Sequence, residues 1–313
     1  MNVFVAMMDG SEYGRWALNW VAQLPFVERP RVTVVHVMDS TALRAPFLPL
    51  SVVASEKAYL QEEIDRMETR SAQIISVIKQ QLAALKLKGT VLKEQGAIAP
   101  EVLKHVPKQD GLLVVGSKGV DTLDKFMLGS VTTNLISYAT CPVLVVKGKA
   151  APVRQMILAI DGSPASATAL EFVLTRFQPD RSTGKDGRVP IHVSVIHVMT
   201  PRPWIKSQEL KEATLKLIDQ NVRKLITAGF TAEPLYLLGK PAEEIMKMAA
   251  KQHADLIVMG AQGLGAMARF LLGSVSTRVV QQATCAVLVV RPQRKKHSKA
   301  LDRFPGVSSG VIG

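Results

Sequence analysis

Two stretches of this sequence carry the residue types and spacing that can hold a phosphate. The first reads Gly116-Ser117-Lys118-Gly119, then nine residues, then Gly129-Ser130-Val131-Thr132. The second reads Gly260-Ala261-Gln262-Gly263, then nine residues, then Gly273-Ser274-Val275-Ser276. Glycine lets the backbone approach a ligand closely and adopt positive φ without penalty. A glycine loop that leads into a helix turns free N–H groups and the positive end of the helix dipole toward an anion. Hydroxyls at Ser130 and Thr132 can add donors. An acid accompanies each loop, Asp9 in Asp9-Gly10-Ser11 and Asp161 in Asp161-Gly162-Ser163-Pro164. A carboxylate does not favour phosphate, so it is expected to accept bonds from a ribose hydroxyl or a base amine, or to help hold Mg²⁺.

Elements that could position these groups follow from hydrophobic periodicity. Asn2 to Met8 is a continuous apolar run and reads as a buried strand. Trp16, Ala17, Trp20, Val21 and Leu24 recur at helical spacing, and Pro25 closes that helix. Arg31 to Met38 is a second strand. Val52 to Leu87 reads as one long helix whose Met67, Ile74, Ile75, Ile78, Leu82 and Leu85 form a core-facing stripe. Thr90 to Glu94, Pro100 to Val106 and Leu112 to Val115 add a strand, a helix and a strand. The glycine loop, a helix from Ser130 to Ala139 and a strand from Cys141 to Lys147 end the series. Strands alternating with helices imply a parallel sheet covered on both faces.

The series then restarts. Met156 to Ser163 matches the first strand and its Asp-Gly-Ser, and Val195-Ile196-His197-Val198-Met199 echoes Val34-Val35-His36-Val37-Met38. Asp180 to Pro190, with Ser182-Thr183-Gly184-Lys185-Asp186-Gly187 at its middle, reads as an exposed loop with no counterpart in the first half. The chain is a tandem duplication. Its expected divisions are residues 1–148, 153–292 and a basic tail, 293–313. In an open α/β sheet, ligands bind beyond the carboxyl ends of the strands, which selects Asp9, Val37, Met38 and Gly116 in the first copy.

Composition bounds the rest. The chain has 313 residues, 47% of them hydrophobic and 21% charged, which describes two globular domains with cores of their own. No apolar run nears the ~20 residues that span a bilayer. The start, Met1-Asn2-Val3-Phe4-Val5, lacks a basic leader segment, so a cytoplasmic location is expected. Of the +13 net charge, much lies after Val290, where six Lys/Arg face one acid, Asp302. That tail reads as a solvated terminus rather than a nucleic-acid or membrane contact. Cys141 and Cys285 occupy equivalent strand starts and read as packing residues, not a redox pair. The histidines show no metal spacing. His36 and His197 read as packing or hydrogen-bonded core residues rather than ligands, and His105 and His253 can meet the negative ends of their helices.

The repeated Gly-x2-Gly-x9-Gly-Ser, the strand-one Asp and a closing Pro-Val-Leu-Val-Val strand resemble the universal stress protein family, in its tandem, ATP-binding form. The likeness spans about 290 residues. It implies two tandem five-stranded parallel sheets with helices on both faces, Rossmann-like and similar to adenine nucleotide α-hydrolases. The two domains would pack as a pseudo-dimer through Val143 to Val146 and Val287 to Val290. It also implies ATP, with Mg²⁺ carried on the nucleotide, and a homodimer of tandem chains. Asp9 and Asp161 would lie near adenine and ribose, with the backbone at Val37 and Val198 against the base. Gly116, Gly119, Gly129, Ser130, Val131 and Thr132 would cradle phosphates in one half, as Gly260, Gly263, Gly273, Ser274, Val275 and Ser276 would in the other. Members are stress-response regulators with weak ATP turnover where any is seen.

Two other classes compete. An adenine-nucleotide enzyme of this fold class would show a signature such as Ser-Gly-Gly-x-Asp-Ser after strand one. Neither Asp9-Gly10-Ser11-Glu12 nor Asp161-Gly162-Ser163-Pro164 supplies it, and the P-loop and Rossmann glycine patterns are absent. A nucleotide-independent scaffold acting through helix 52–87 or the tail would tolerate larger residues in both loops. The loops themselves differ. The first carries Asp121 and Asp124 beside Lys118 and Lys125, whereas the second has no acid between its glycines and Arg269 in place of Lys125. Acids near a polyphosphate weaken binding. The second site is therefore expected to bind ATP more tightly, so Gly263→Ala should lose more affinity than Gly119→Ala by calorimetry. Equal losses would remove the asymmetry.

Overall fold

The computed structural model describes residues 1–7, 10–41, 53–106, 110–117, 128–182, 188–200, 208–263 and 272–291. The first half contains β1 (Asn2–Met7), α1 (Glu12–Gln23), β2 (Arg31–Met38), α2 (Val53–Ala84), β3 (Gly89–Gln95), α3 (Ile98–His105), β4 (Gly111–Gly116), α4 (Ser130–Tyr138) and β5 (Val143–Val146). The second contains β6 (Gln155–Ala159), α5 (Pro164–Arg176), β7 (Asp180–Ser182), β8 (Arg188–Pro190) and β9 (His192–Met199). It continues with α6 (Gln208–Thr227), β10 (Thr231–Leu238), α7 (Pro241–Lys251), β11 (Leu256–Gly260), α8 (Ser274–Gln282) and β12 (Ala286–Val290).

Local chemistry explains the helix starts. Ser11 caps α1 by accepting a bond from Gly14 N at 3.3 Å, and Ser163 caps α5 by accepting one from Ser166 N at 3.2 Å. Pro164 occupies the first turn of α5, where its missing N–H is harmless. The stripe on α2 packs as expected, with Ile78 and Leu82 buried and Ile74 and Leu85 against the core.

Ten strands join one sheet in the order β10-β9-β6-β11-β12-β5-β4-β1-β2-β3. Each half is a parallel five-stranded unit. The expected junction through the last strands is present: β5 and β12 pair antiparallel, with Val145 opposite Val287, Leu144 opposite Leu288 and Val143 opposite Val289. Every residue of both strands is buried. Because side chains alternate along a strand, the sheet feeds two cores. Val3, Val5, Met156 and Leu158 meet Leu18, Ile78, Val173 and Val222 on one face. Val35, Val115, Ile157 and Val287 meet Val102, Leu135, Ile245 and Val279 on the other. Each core runs without a break through both halves.

Further contacts cross between the halves. Phe26 and Phe177 form an antiparallel bridge, supported by Val27 N to Arg176 O at 3.0 Å and Gln178 N to Pro25 O at 2.7 Å. Trp20 Nε1 donates to Gly148 O at 3.0 Å and so fixes the linker.

The stretch 180–190 departs from expectation. Its arms, β7 and β8, pair antiparallel with Arg181 opposite Val189, because a chain that doubles back satisfies its own N–H and C=O groups. Composition marked the reversal and missed the pairing. Cys141 and Cys285 are free, and burial pushes their thiols up to about 12 and about 11, which suits packing residues and leaves little thiolate. Among the described residues no helix is long and apolar enough to cross a membrane.

Helices α2 and α6 end alike. Leu87 N bonds Leu82 O and Phe230 N bonds Leu225 O, each at 3.0 Å, around a residue of positive φ. That residue is Gly229 (φ 92) after α6 and Lys86 (φ 54) after α2. A side chain there carries a conformational penalty that glycine escapes. Lys86→Gly should therefore stabilise the protein by about 0.5 kcal/mol. A raised urea midpoint with unchanged slope checks this, and a lowered midpoint refutes it.

Candidate functional site

The strand order in each half puts a switch point between β1 and β4, and between β6 and β11, where the following connections leave in opposite directions. A crevice opens there beyond the strand ends. The glycine loops stand at these crevices.

The second crevice is described most fully. Asp161 follows β6, and its Oδ1 accepts a bond from Ser163 N at 2.9 Å. Its other oxygen, Oδ2, faces the loop so closely that a Cβ added at Gly263 would stand 2.7 Å from it. Acid and loop therefore meet, and any side chain at 263 would have to displace the carboxylate. Ser163 Oγ also donates to Gln262 O at 3.2 Å, which ties the start of α5 to the same loop. Gly260 lies under α5, where a Cβ would come 2.7 Å from Ala165 C. Gly116 has the equivalent place against α1, 2.8 Å from Tyr13 Cβ.

Both loops are pinned at the same points. Ser117 N donates to Val146 O at 2.9 Å, and Gly129 N donates back to Ser117 O at 3.0 Å. In the second half, Ala261 N donates to Val290 O and Gly273 N to Ala261 O, both at 2.8 Å. The hydroxyl expected of Thr132 as a ligand donor has another use: Thr132 Oγ1 donates to Gly116 O at 2.8 Å. Ser276 Oγ likewise donates to Ala261 O at 2.7 Å. Both residues are buried one turn into their helices, over the strand end, where a buried carbonyl needs a donor. Ser130 and Ser274 stay exposed at the helix starts, beside the backbone N–H groups there. Gly129 and Gly273 start α4 and α8 without any side-chain cap, unlike Ser11 and Ser163 on α1 and α5. The first-turn amides at Ser130 and Val131, and at Ser274 and Val275, are left without that cap.

Asp9, Gly119, Lys118, Asp121, Asp124, Lys125 and Arg269 lie outside the described residues. The turn after Asp9 can still be compared. Gly10 (φ 73) packs on Ile74 as Gly162 (φ 81) packs on Leu217, so the two turns share one geometry. Val37 and Val198 fall at the carboxyl ends of β2 and β9, opposite Glu94 and Leu237.

One positioning role went unread in the sequence. His197 Nδ1 lies 2.9 Å from Ile160 O, the carbonyl just before Asp161. A carbonyl only accepts, so Nδ1 carries the proton and fixes the strand end from which Asp161 projects. His36 occupies the same place in β2 and bonds Ser71 Oγ on α2 through Nε2 at 3.0 Å. Its recurrence in both copies was the available signal. His105, at the end of α3, bonds Glu94 at 2.7 Å. Among the described residues no group of three or more His, Cys, Asp or Glu could hold a metal.

Comparison with known proteins agrees with this architecture. The model of the universal stress protein family matches residues 1–147 and again 152–291. The chain belongs to the universal stress protein family. A universal stress protein of Mycolicibacterium smegmatis is 30% identical over 304 residues, covering 91% of this chain and 96% of that protein. The universal stress protein YxiE of Bacillus subtilis is 33% identical over 145 residues, which is 44% of this chain and 98% of its own, as expected of a single-unit relative. A universal stress protein from Archaeoglobus fulgidus shares the fold, with a TM-score of 0.66 at 21% identity over 93% of this chain and 98% of that one.

The glycines of the universal stress protein loop divide by what surrounds them. Gly260→Ala must displace the backbone of α5 and should lower stability by about 2–3 kcal/mol, within the usual range for overpacking. At Gly273 an added Cβ meets only ordinary contacts, at 3.5 Å and beyond, with φ −66, so Gly273→Ala should leave the melting temperature nearly unchanged. Thermal unfolding of both variants checks the contrast, and equal shifts would refute it.

Proposed function

We propose that this universal stress protein is a cytoplasmic ATP-binding regulator of a stress response, with two nucleotide sites and at most weak hydrolysis. One observation carries the reading: at the switch point the strand-one acid and the glycine loop converge on the same place, Asp161 Oδ2 against Gly263. A ligand that satisfies both needs a polyanion for the amides and hydroxyl or amine donors for the carboxylate. A nucleotide polyphosphate has both.

In this reading the amides at the start of α4 and α8 take the phosphates, and Gly116, Gly119, Gly260 and Gly263 let the main chain come near. Asp9 and Asp161 take the ribose or base, next to the backbone at Val37 and Val198. Mg²⁺ arrives on the nucleotide, because phosphates plus one carboxylate are an ordinary set for that ion and the described residues offer no larger cluster. The loops supply no evident catalyst, and Asp161 is given to the ribose or base with its Oδ1 engaged by Ser163 N, so at most slow turnover is expected. Units 1–148 and 153–292 are the two binding domains, and a homodimer of such chains belongs to the same reading.

Native purification followed by identification of the bound nucleotide tests the proposal. ATP or ADP should be released on denaturation, at up to two per chain, and Asp161→Ala should lower the yield. A nucleotide-free protein that also fails to bind Mg-ATP on titration would refute it.

A further inference from the structure

The last strand of each half ends in a cation that reaches the other half. Arg291, just after β12, lies buried with Nη2 2.6 Å from Ile136 O and 3.2 Å from Ser137 O, at the carboxyl end of α4. Lys147, just after β5, has Nζ 3.2 Å from Gln281 O, at the carboxyl end of α8. Each cation meets the negative end of a helix dipole.

What gives this exchange meaning is the other end of those helices. α4 and α8 begin at the two glycine loops. Since β5 and β12 are antiparallel, the carboxyl ends of the two half-sheets point in opposite directions, and so do the two crevices. α4 therefore runs from the first crevice toward the end of the sheet where the second crevice lies. Its nine residues span about 13 Å. The junction is only one peptide wide. Val290 O holds the second loop through Ala261 N, and the next residue, Arg291, holds the first site's helix. Val146 O holds the first loop through Ser117 N, and the next residue, Lys147, holds the second site's helix.

Stability alone is a poor account of Arg291. Its Nε is buried without a hydrogen-bond partner among the described residues, and its contacts are carbonyls rather than a carboxylate. Burying a cation this way works against folding, and a well-packed apolar side chain is often as good or better. The two arms also differ: the guanidinium is buried and bridges two carbonyls, whereas the Lys147 contact is exposed.

We infer that Arg291 is a positioning residue for the first phosphate site and couples it to the second, through the Val290–Arg291 peptide at one end and α4 at the other. This rests on the nucleotide reading of the loops. A ligand that draws in the second loop pulls on Val290, and Arg291 transmits the shift to α4, whose amino end presents the amides of the first site. By linkage the first ligand acts equally on the second.

The test is a calorimetric titration of Mg-ATP into the full chain. Gly263→Ala isolates the first site and Gly119→Ala isolates the second, each with Arg291 intact or as Arg291→Met. With Arg291→Met the first site should weaken about fivefold, roughly the net worth of one hydrogen bond, and the second should stay within about 1.5-fold. In the chain with both loops intact, Arg291→Met should also make the two sites independent. If Arg291→Met does not fold, Arg291→Lys serves in the same comparison, since it keeps the charge on a side chain shorter than the one whose Nη2 contacts both carbonyls. Equal losses at both sites, or none at the first, would overturn the inference and leave the nucleotide reading standing. An unmodified chain that binds no Mg-ATP would overturn that reading and the inference together.

Discussion

The antiparallel pairing of β5 with β12 is the constraint on which the rest of the molecule depends. Each half presents an open sheet edge at its last strand, and an unpaired edge of buried apolar residues is a template for unwanted association. The duplicated chain closes both edges against each other. Three consequences follow from that one contact: a continuous sheet of ten strands, two cores that each run through both halves, and crevices that open at opposite ends. Residues that look peripheral in sequence, such as Phe26, Phe177, Trp20 and Gly148, become parts of the same junction.

Within each half the glycine loop is held mostly by main chain. The loop begins on the last strand's carbonyl, closes on itself through Gly129 or Gly273, and is anchored by one hydroxyl, from Thr132 or Ser276. The glycines serve separate ends. Gly116 and Gly260 admit the first helix of their half, while Gly263 admits the carboxylate of Asp161. A loop built this way can offer amides to an anion while keeping its own polar groups bonded, which limits the reorganisation that binding would require.

Much of the fold was legible. Apolar runs gave strands, helical spacing gave α1 and the stripe of α2, and the repeat announced two equivalent units. Element ends were harder, as at β3, read as Thr90 to Glu94 and observed as Gly89–Gln95. Pairing adds residues at strand ends that no local pattern marks. The hairpin of β7 and β8 was hidden for a related reason, since a stretch rich in turn residues says where the chain reverses and not whether its arms bond. Of the candidate site, the two loops and Asp161 stand out in the sequence because their residue types recur at fixed spacing. The work of Thr132, Ser276 and His197 was not, because it depends on which carbonyl lies within about 3 Å of a side chain.

By itself the sequence determined the class of fold, the duplication, and the residue types at each crevice, because period and spacing are properties of the chain alone. Tertiary structure decided direction and partnership. Antiparallel register at β5 and β12 turned two like crevices to opposite ends of one sheet. Packing against α5 and Asp161 separated glycines that look interchangeable in the motif. And it set Arg291, which in the sequence only follows the last strand, beneath a helix of the other half, a contact between positions 155 residues apart that no local pattern encodes.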